Sequence, residues 1–207
     1  MIVIVLLLSY LIGSIPTSII TSKVLKGIDI RNYGSGNAGG TNTFRVLGWR
    51  AGLFVIAVDI FKGFTAAFWI ARLAYGAFGL EPEALQLMAG CAAVTGHVWT
   101  VFAQFRGGKG VATAAGLLLA LNWLALLICT AVFVTVIFIF RIVSLASIIG
   151  AASLPIVLSL FRYLLNQPVA DSLYYFSFAV TVFVFFTHRS NIGKLLSGNE
   201  NSFRKKK

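Results

Sequence analysis

Three short runs in this chain mix glycine with hydroxyls, amides and cations, the combination that handles anions. They are Ser35-Gly36-Asn37-Ala38-Gly39-Gly40-Thr41-Asn42 with Arg45 beyond it, Arg106-Gly107-Gly108-Lys109-Gly110, and His188-Arg189-Ser190-Asn191-Ile192-Gly193 with Lys194 beyond it. Glycine lets backbone N–H groups approach an anion closely, and hydroxyls and amides add hydrogen bonds. Arg45 offers a forked, charge-assisted contact to phosphate. Lys109 stands before an apolar run opening at Val111, where a helix N-terminus and its dipole would reinforce its charge. Each run also has a plainer reading, as a flexible loop, a tight turn carrying topological charge, or an interfacial boundary.

Other chemistries lack their patterns. There is no HExxH, no GxSxG and no cluster of Asp and Glu for divalent metals. The nucleotide P-loop fails because Gly110 follows Lys109, and the HxxxxD acyltransferase pattern fails because Phe102 and Gly193 stand five residues after His97 and His188. Chemistry here must run on cations, amides, hydroxyls and histidine, with no metal and no cofactor expected. His188, at a membrane boundary, binds anions when charged or acts as a base when neutral. His97, inside a span, is expected to hydrogen-bond structurally. Asp59 and Lys62, three apart on one helix face, are expected to pair and support the site.

The elements that must position these runs are membrane helices. The chain is 58% hydrophobic and 11% charged, with 17 Lys and Arg against 6 Asp and Glu, and its mean hydropathy is +0.90. That composition argues against a soluble enzyme, a disordered tail or a nucleic-acid binder, and for a polytopic membrane protein with one cationic face. Cys91 and Cys129 sit in apolar runs and read as small hydrophobes. No Lys or Arg precedes Lys23, so the N-terminal apolar run reads as a retained span rather than a signal peptide.

Apolar stretches place spans at about 2–22, 51–72, 83–105, 144–161 and 172–187, each near the roughly 20 residues a bilayer requires. The 111–140 stretch has no charged side chain and is expected to fold as a hairpin turning at Leu121-Asn122-Trp123. With residue 1 outside, that hairpin puts fourteen basic residues on the cytoplasmic side, leaving Arg72 and Arg162 opposite and Lys62 in a span. A single crossing there would send the terminal Arg204-Lys205-Lys206-Lys207 outside, against the positive-inside rule. The expectation is thus an all-α integral membrane protein of seven helical segments, N-terminus outside and C-terminus cytoplasmic. Residues 1–200 read as one domain and 201–207 as a basic cytoplasmic tail. On this topology all three polar runs share the cytoplasmic face.

Together the runs resemble a known family. The first resembles SGNxGxxN. Gly96-His97 through Phe105-Arg106-Gly107-Gly108-Lys109-Gly110-Val111-Ala112-Thr113 resembles GHxxxxFxxF-[KR]-GGKGVAT, and the stretch from His188 to Glu200 resembles HRxNIxRLxxGxE. Asp59-x-x-Lys62-Gly63 matches DxxKG. These are motifs of the bacterial membrane acylphosphate:glycerol-3-phosphate acyltransferase (PlsY) family, and they run from the first span to the tail. Lys194 departs, standing where the family often has Arg, which replaces a forked contact by a point charge.

The resemblance implies transfer of a fatty acyl group from acyl phosphate to the 1-hydroxyl of sn-glycerol 3-phosphate, giving lysophosphatidate and phosphate in the first acylation of phospholipid synthesis. It implies an integral, metal-independent enzyme of the bacterial inner (cytoplasmic) membrane, with membrane lipid around it and its active site at the cytoplasmic face. Two phosphates held together repel by about 4 kcal/mol at 4 Å and an effective dielectric near 20, so several cations are needed. Ser35, Asn37, Arg45 and Lys109 are expected to hold phosphate, with His188 and Asn191 at the reacting hydroxyl and carbonyl. Gly36, Thr41, Asn42, Arg106, Gly108, Ser144, Arg189 and Lys194 are further candidate contacts. The base is either a substrate phosphate oxygen, which ranks slightly ahead, or His188. A transporter or channel for an anionic phosphate metabolite is the rival, although no internal repeat supports it. A membrane scaffold would explain only the basic tail. Acyl-chain preference and oligomeric state stay open, a monomer being sufficient.

Overall fold

The computed structural model describes residues 1–76 and 79–202, so Arg204, Lys205, Lys206 and Lys207 of the expected tail lie outside the described residues. The regular elements among the described residues are all helical. They are α1 (Ile2–Ser14), α2 (Thr17–Lys26), α3 (Gly40–Leu47), α4 (Trp49–Thr65), α5 (Pro82–Val98), α6 (Val111–Leu121), α7 (Trp123–Phe140), α8 (Val143–Ser159), α9 (Asp171–Thr187) and α10 (Arg189–Leu196). Five stretches are long and apolar enough to cross a membrane: Ile2–Lys26, Trp49–Ala74, Pro82–Ala103, Trp123–Phe140 and Val143–Leu164. Val111–Leu121 and Asp171–Thr187 are shorter apolar helices.

The first expected span is broken. Pro16 has no N–H and its ring clashes with the preceding turn, so α1 ends at Ser14 and α2 restarts at Thr17. A second difference lies in the first polar run, whose latter part forms α3. The expected break at Asn122 is present: its side chain accepts from Ala125 N–H at 2.9 Å and caps α7.

The chain forms two compact units, Met1–Leu121 and Asn122–Lys207. In the first, α1 packs on α5 and α4 on α6 with backbones almost touching. A Cβ added to Gly13 would stand 2.1 Å from Ala93 O, and one on Gly96 2.1 Å from Tyr10 O. On the other pair, a Cβ at Gly63 would stand 1.9 Å from Thr113 O, and one at Gly116 1.9 Å from Ile60 O. Small residues are how membrane helices come this close, since lipid supplies no hydrophobic drive between them. A core of Val5, Ala71, Ala74, Leu85 and Ala89 lies beside these crossings.

In the second unit, α8 packs on α7 and α9 through larger side chains. Thr181 Oγ1 bridges α9 to Ala151 O at 3.0 Å. Beyond α8 the helix widens into a π turn over Leu160–Leu164. Arg162 pairs there with Asp171 at 2.5 Å, joining the end of α8 to the start of α9.

Candidate active site

The first polar run is organised by a residue expected to contact substrate. Asn42 is buried on α3, and its Oδ1 accepts the Ser35 N–H at 2.8 Å. Its Nδ2 donates to Tyr33 O at 2.9 Å and Ile30 O at 3.2 Å. Both amide protons are therefore committed, and Asn42 shapes the loop instead of touching phosphate. The close approach requires Gly34, at φ +62, where a Cβ would stand 2.3 Å from Asn42 Oδ1. Ser35 and Gly36 are left exposed, with Asn37, Thr41 and Arg45 half-buried. Arg45 occupies the last turn of α3, and the first turn opens with Gly40 and Thr41, whose amides a helix leaves without intrahelical partners.

A strut fixes this loop from outside the spans. Arg31 clasps Asp29 through Nε at 3.0 Å and Nη2 at 2.7 Å, while Nη1 reaches Ala103 O at 3.0 Å. The guanidinium holds the Asp29 carboxyl down at about 2, and the Arg31 pKa rises reciprocally. The first run is thereby tied to the residues just before the second.

In the second run, Gly107 N–H donates to Val98 O at 3.0 Å and Gly108 N–H to His97 O at 3.1 Å. These two amides serve the end of α5, so the expected backbone anion cradle loses them, and Gly108 contributes space. A Cβ there would stand 2.2 Å from His97 Nε2 and 2.8 Å from Ala38 O. Gly108 thus lies between the His97 ring and the first run. Before it, Gln104 and Phe105 both adopt left-handed backbone at φ +57 and +58, a strained conformation worth roughly 1–2 kcal/mol per residue. Lys109 is half-buried and Arg106 exposed.

Asp59 and Lys62 pair as their spacing implies, at 2.7 Å and almost fully buried. Asp59 also accepts from Thr17 Oγ1 at 3.2 Å, and His97 Nδ1 lies 3.7 Å from it. Lys62 Nζ donates to Ile15 O at 2.8 Å and Gly13 O at 3.4 Å, carbonyls beside the Pro16 break. Thr100 Oγ1 donates to Ser14 O at the same break. A narrow cleft opens among Pro16, Thr17, Ala38, Asp59, His97 and Gly108.

The third run belongs to the second unit. His188 is buried at the end of α9, with Nδ1 2.9 Å from Val184 O. A carbonyl only accepts, so Nδ1 carries a proton there. Asn191, half-buried on α10, donates through Nδ2 to Glu200 Oε1 at 2.7 Å. Ser144 Oγ donates to the same oxygen at 3.0 Å. Its only proton is spent there, which removes Ser144 as a donor to phosphate. Arg189 turns back to Phe186 O at 3.0 Å, and Lys194 is exposed.

Glu200, Asn42 as an organiser, and the Asp29–Arg31 strut are what residue types and spacing missed. Glu200 closes the quoted third motif, so its position was visible although its two partners were not.

The fold and these residues have counterparts among known proteins. The sequence profile of the family described as Glycerol-3-phosphate acyltransferase matches residues 3–198. The glycerol-3-phosphate acyltransferase of Chlorobium phaeobacteroides (strain BS1) is 48% identical over 223 residues, covering 96% of this chain and 95% of the relative. That of Chlorobaculum tepidum is 47% identical over 218 residues, covering 95% and 94%. A crystal structure of PlsY (YgiH), described as an integral membrane glycerol 3-phosphate acyltransferase in its glycerol 3-phosphate form, superposes with TM-score 0.83 at 35% identity, over 98% of this chain and 96% of that one. Its lysophosphatidic acid form gives 0.81 at 34%, over 98% and 95%. A multi-pass, all-helical membrane protein with these three runs belongs to the glycerol-3-phosphate acyltransferase family.

Proposed function

We propose that this chain transfers a fatty acyl group from acyl phosphate to the 1-hydroxyl of sn-glycerol 3-phosphate, releasing lysophosphatidate and inorganic phosphate. The observation that carries this reading is the likeness, along 98% of the chain, to a structure named for its glycerol 3-phosphate form. The neighbour named for its lysophosphatidic acid form supports the product. Acyl phosphate as donor is what the resemblance of the motifs implies.

Ser35, Asn37, Arg45 and Lys109 hold phosphate, with Gly36 and Thr41 beside them. Exposed Arg106, Arg189 and Lys194 add positive potential that steers anionic substrates. The glycerol oxygen attacks the acyl carbonyl carbon, the bond from that carbon to the phosphate oxygen breaks, and phosphate leaves. His188 and Asn191 orient the attacking hydroxyl and the acyl carbonyl. The proton passes to a phosphate oxygen of a substrate.

The chain lies in a bacterial cytoplasmic membrane as seven helical segments, N-terminus outside, with the site on the cytoplasmic face. In intact cells an impermeant thiol reagent should label Gln167→Cys and not Ser197→Cys; the reverse pattern would invert the topology. Purified protein in detergent should make lysophosphatidate from acyl phosphate and glycerol 3-phosphate without added metal, and not from acyl-CoA or acyl-carrier protein. No product from any donor would overturn the reading, and turnover with acyl-CoA alone would overturn the donor.

A further inference from the structure

We infer that Glu200 recognises the non-reacting 2-hydroxyl of the glycerol substrate through its second carboxylate oxygen, an inference that rests on the acyl-transfer reading above. Glu200 Oε1 already accepts from Ser144 Oγ and Asn191 Nδ2. Its Oε2 is buried and meets no donor among the described residues. Leaving a buried acceptor unmet is costly, and an orphan of this kind calls for an absent partner.

The neighbours of that oxygen define the partner's chemistry. Ser144 is buried, and with its single proton given to Oε1 its oxygen has only lone pairs to offer. Oε2 therefore offers an acceptor where the start of α8 meets the residues after α10, and Ser144 adds no donor to it. Phosphate and carbonyl groups, themselves acceptors, gain nothing there, whereas a hydroxyl does. Ionised acyl phosphate carries no hydroxyl, while glycerol 3-phosphate carries two. The 1-hydroxyl is the one that reacts, which leaves the 2-hydroxyl to Glu200. The carboxylate thus reads the substrate at the same time as it fixes Asn191.

The test compares sn-glycerol 3-phosphate with 3-hydroxypropyl phosphate, which lacks only the 2-hydroxyl, as acyl acceptors for the full chain in detergent. The wild-type protein should favour glycerol 3-phosphate in kcat/KM by about 10- to 100-fold, the worth of one hydrogen bond to a charged acceptor. Glu200→Gln keeps an oxygen for Ser144 and Asn191 but replaces the second acceptor by a donor, and should cut that preference by about tenfold. Glu200→Asp, which retracts the carboxylate, should cut it as well and stands in if Glu200→Gln does not fold. Equal use of the two acceptors by wild type would overturn the inference. So would variants that lose activity on both in proportion, the mark of a purely structural carboxylate. Failure of the acyl-transfer reading would look different, since wild type would then acylate neither acceptor.

Discussion

The two units solve the problem of packing apolar helices differently. In residues 1–121 the helices meet backbone to backbone at Gly13, Gly96, Gly63 and Gly116, and a nearly dry ion pair sits among them. In residues 122–202 the one glycine facing a partner helix is Gly150, where an added Cβ would stand an ordinary 3.4 Å from Phe133 Cβ. Side chains fill the space there, and Ser144 and Asn191 meet at Glu200 near the helix ends. The first unit's loops hang from a rigid frame that tolerates no added atom. The second unit carries its chemistry at a margin, where Asn191 and Ser144 share one oxygen of Glu200 and His188 is held by the Val184 carbonyl.

The comparison can be broken most forcefully at the ion pair. Asp59→Ala strands Lys62 and should destabilise the protein by about 3–5 kcal/mol, as removal of one partner of a buried pair does. Thermal unfolding in detergent reads this, and the double variant Asp59→Asn with Lys62→Met should recover part of it. Gly63→Ala comes next, at about 1–3 kcal/mol for overpacking, while Gly150→Ala should cost well under 1 kcal/mol; equal costs would erase the contrast between units. Asn42→Ala should raise KM for glycerol 3-phosphate severalfold more than it lowers kcat, since it loosens the loop and spares the reacting groups.

Asp29→Asn gives a small effect that depends on pH. The native carboxyl is held near 2 against a usual value of 3.8, so its stabilisation is present above about pH 3.8 and fades as pH falls toward 2. The pair is partly solvent-exposed, so the loss should be about 1 kcal/mol at neutral pH and vanish near pH 2. An unfolding series over pH reads both limits.

Much of the helical plan was legible because lipid imposes a length and a composition on anything that crosses it. The break at Asn122 showed as a lone polar residue in an apolar run. The break at Pro16 carried an equally plain signal, yet the run of 2–22 read as one span because hydropathy alone does not register a missing N–H. The Asp59–Lys62 pairing followed from helical spacing, whereas Thr17 and the Ile15 carbonyl lie more than forty residues away in sequence. Glycine, serine and asparagine suit binding and turn-making alike, so Asn42 read as a contact until its three hydrogen bonds were seen. The same ambiguity hid Ser144, since a hydroxyl's role depends on where its one proton goes.

The Pro16 break has a consequence for how the chain enters its membrane. A first span with interrupted backbone and a second span with two buried charges are each poorly suited to lipid alone, where every polar group needs a partner. Lys62 meets the carbonyls of Gly13 and Ile15, and Thr17 meets Asp59. Each segment thus supplies the hydration that the bilayer withholds from the other, and the two reach their lowest energy as a joined pair: each is the other's water.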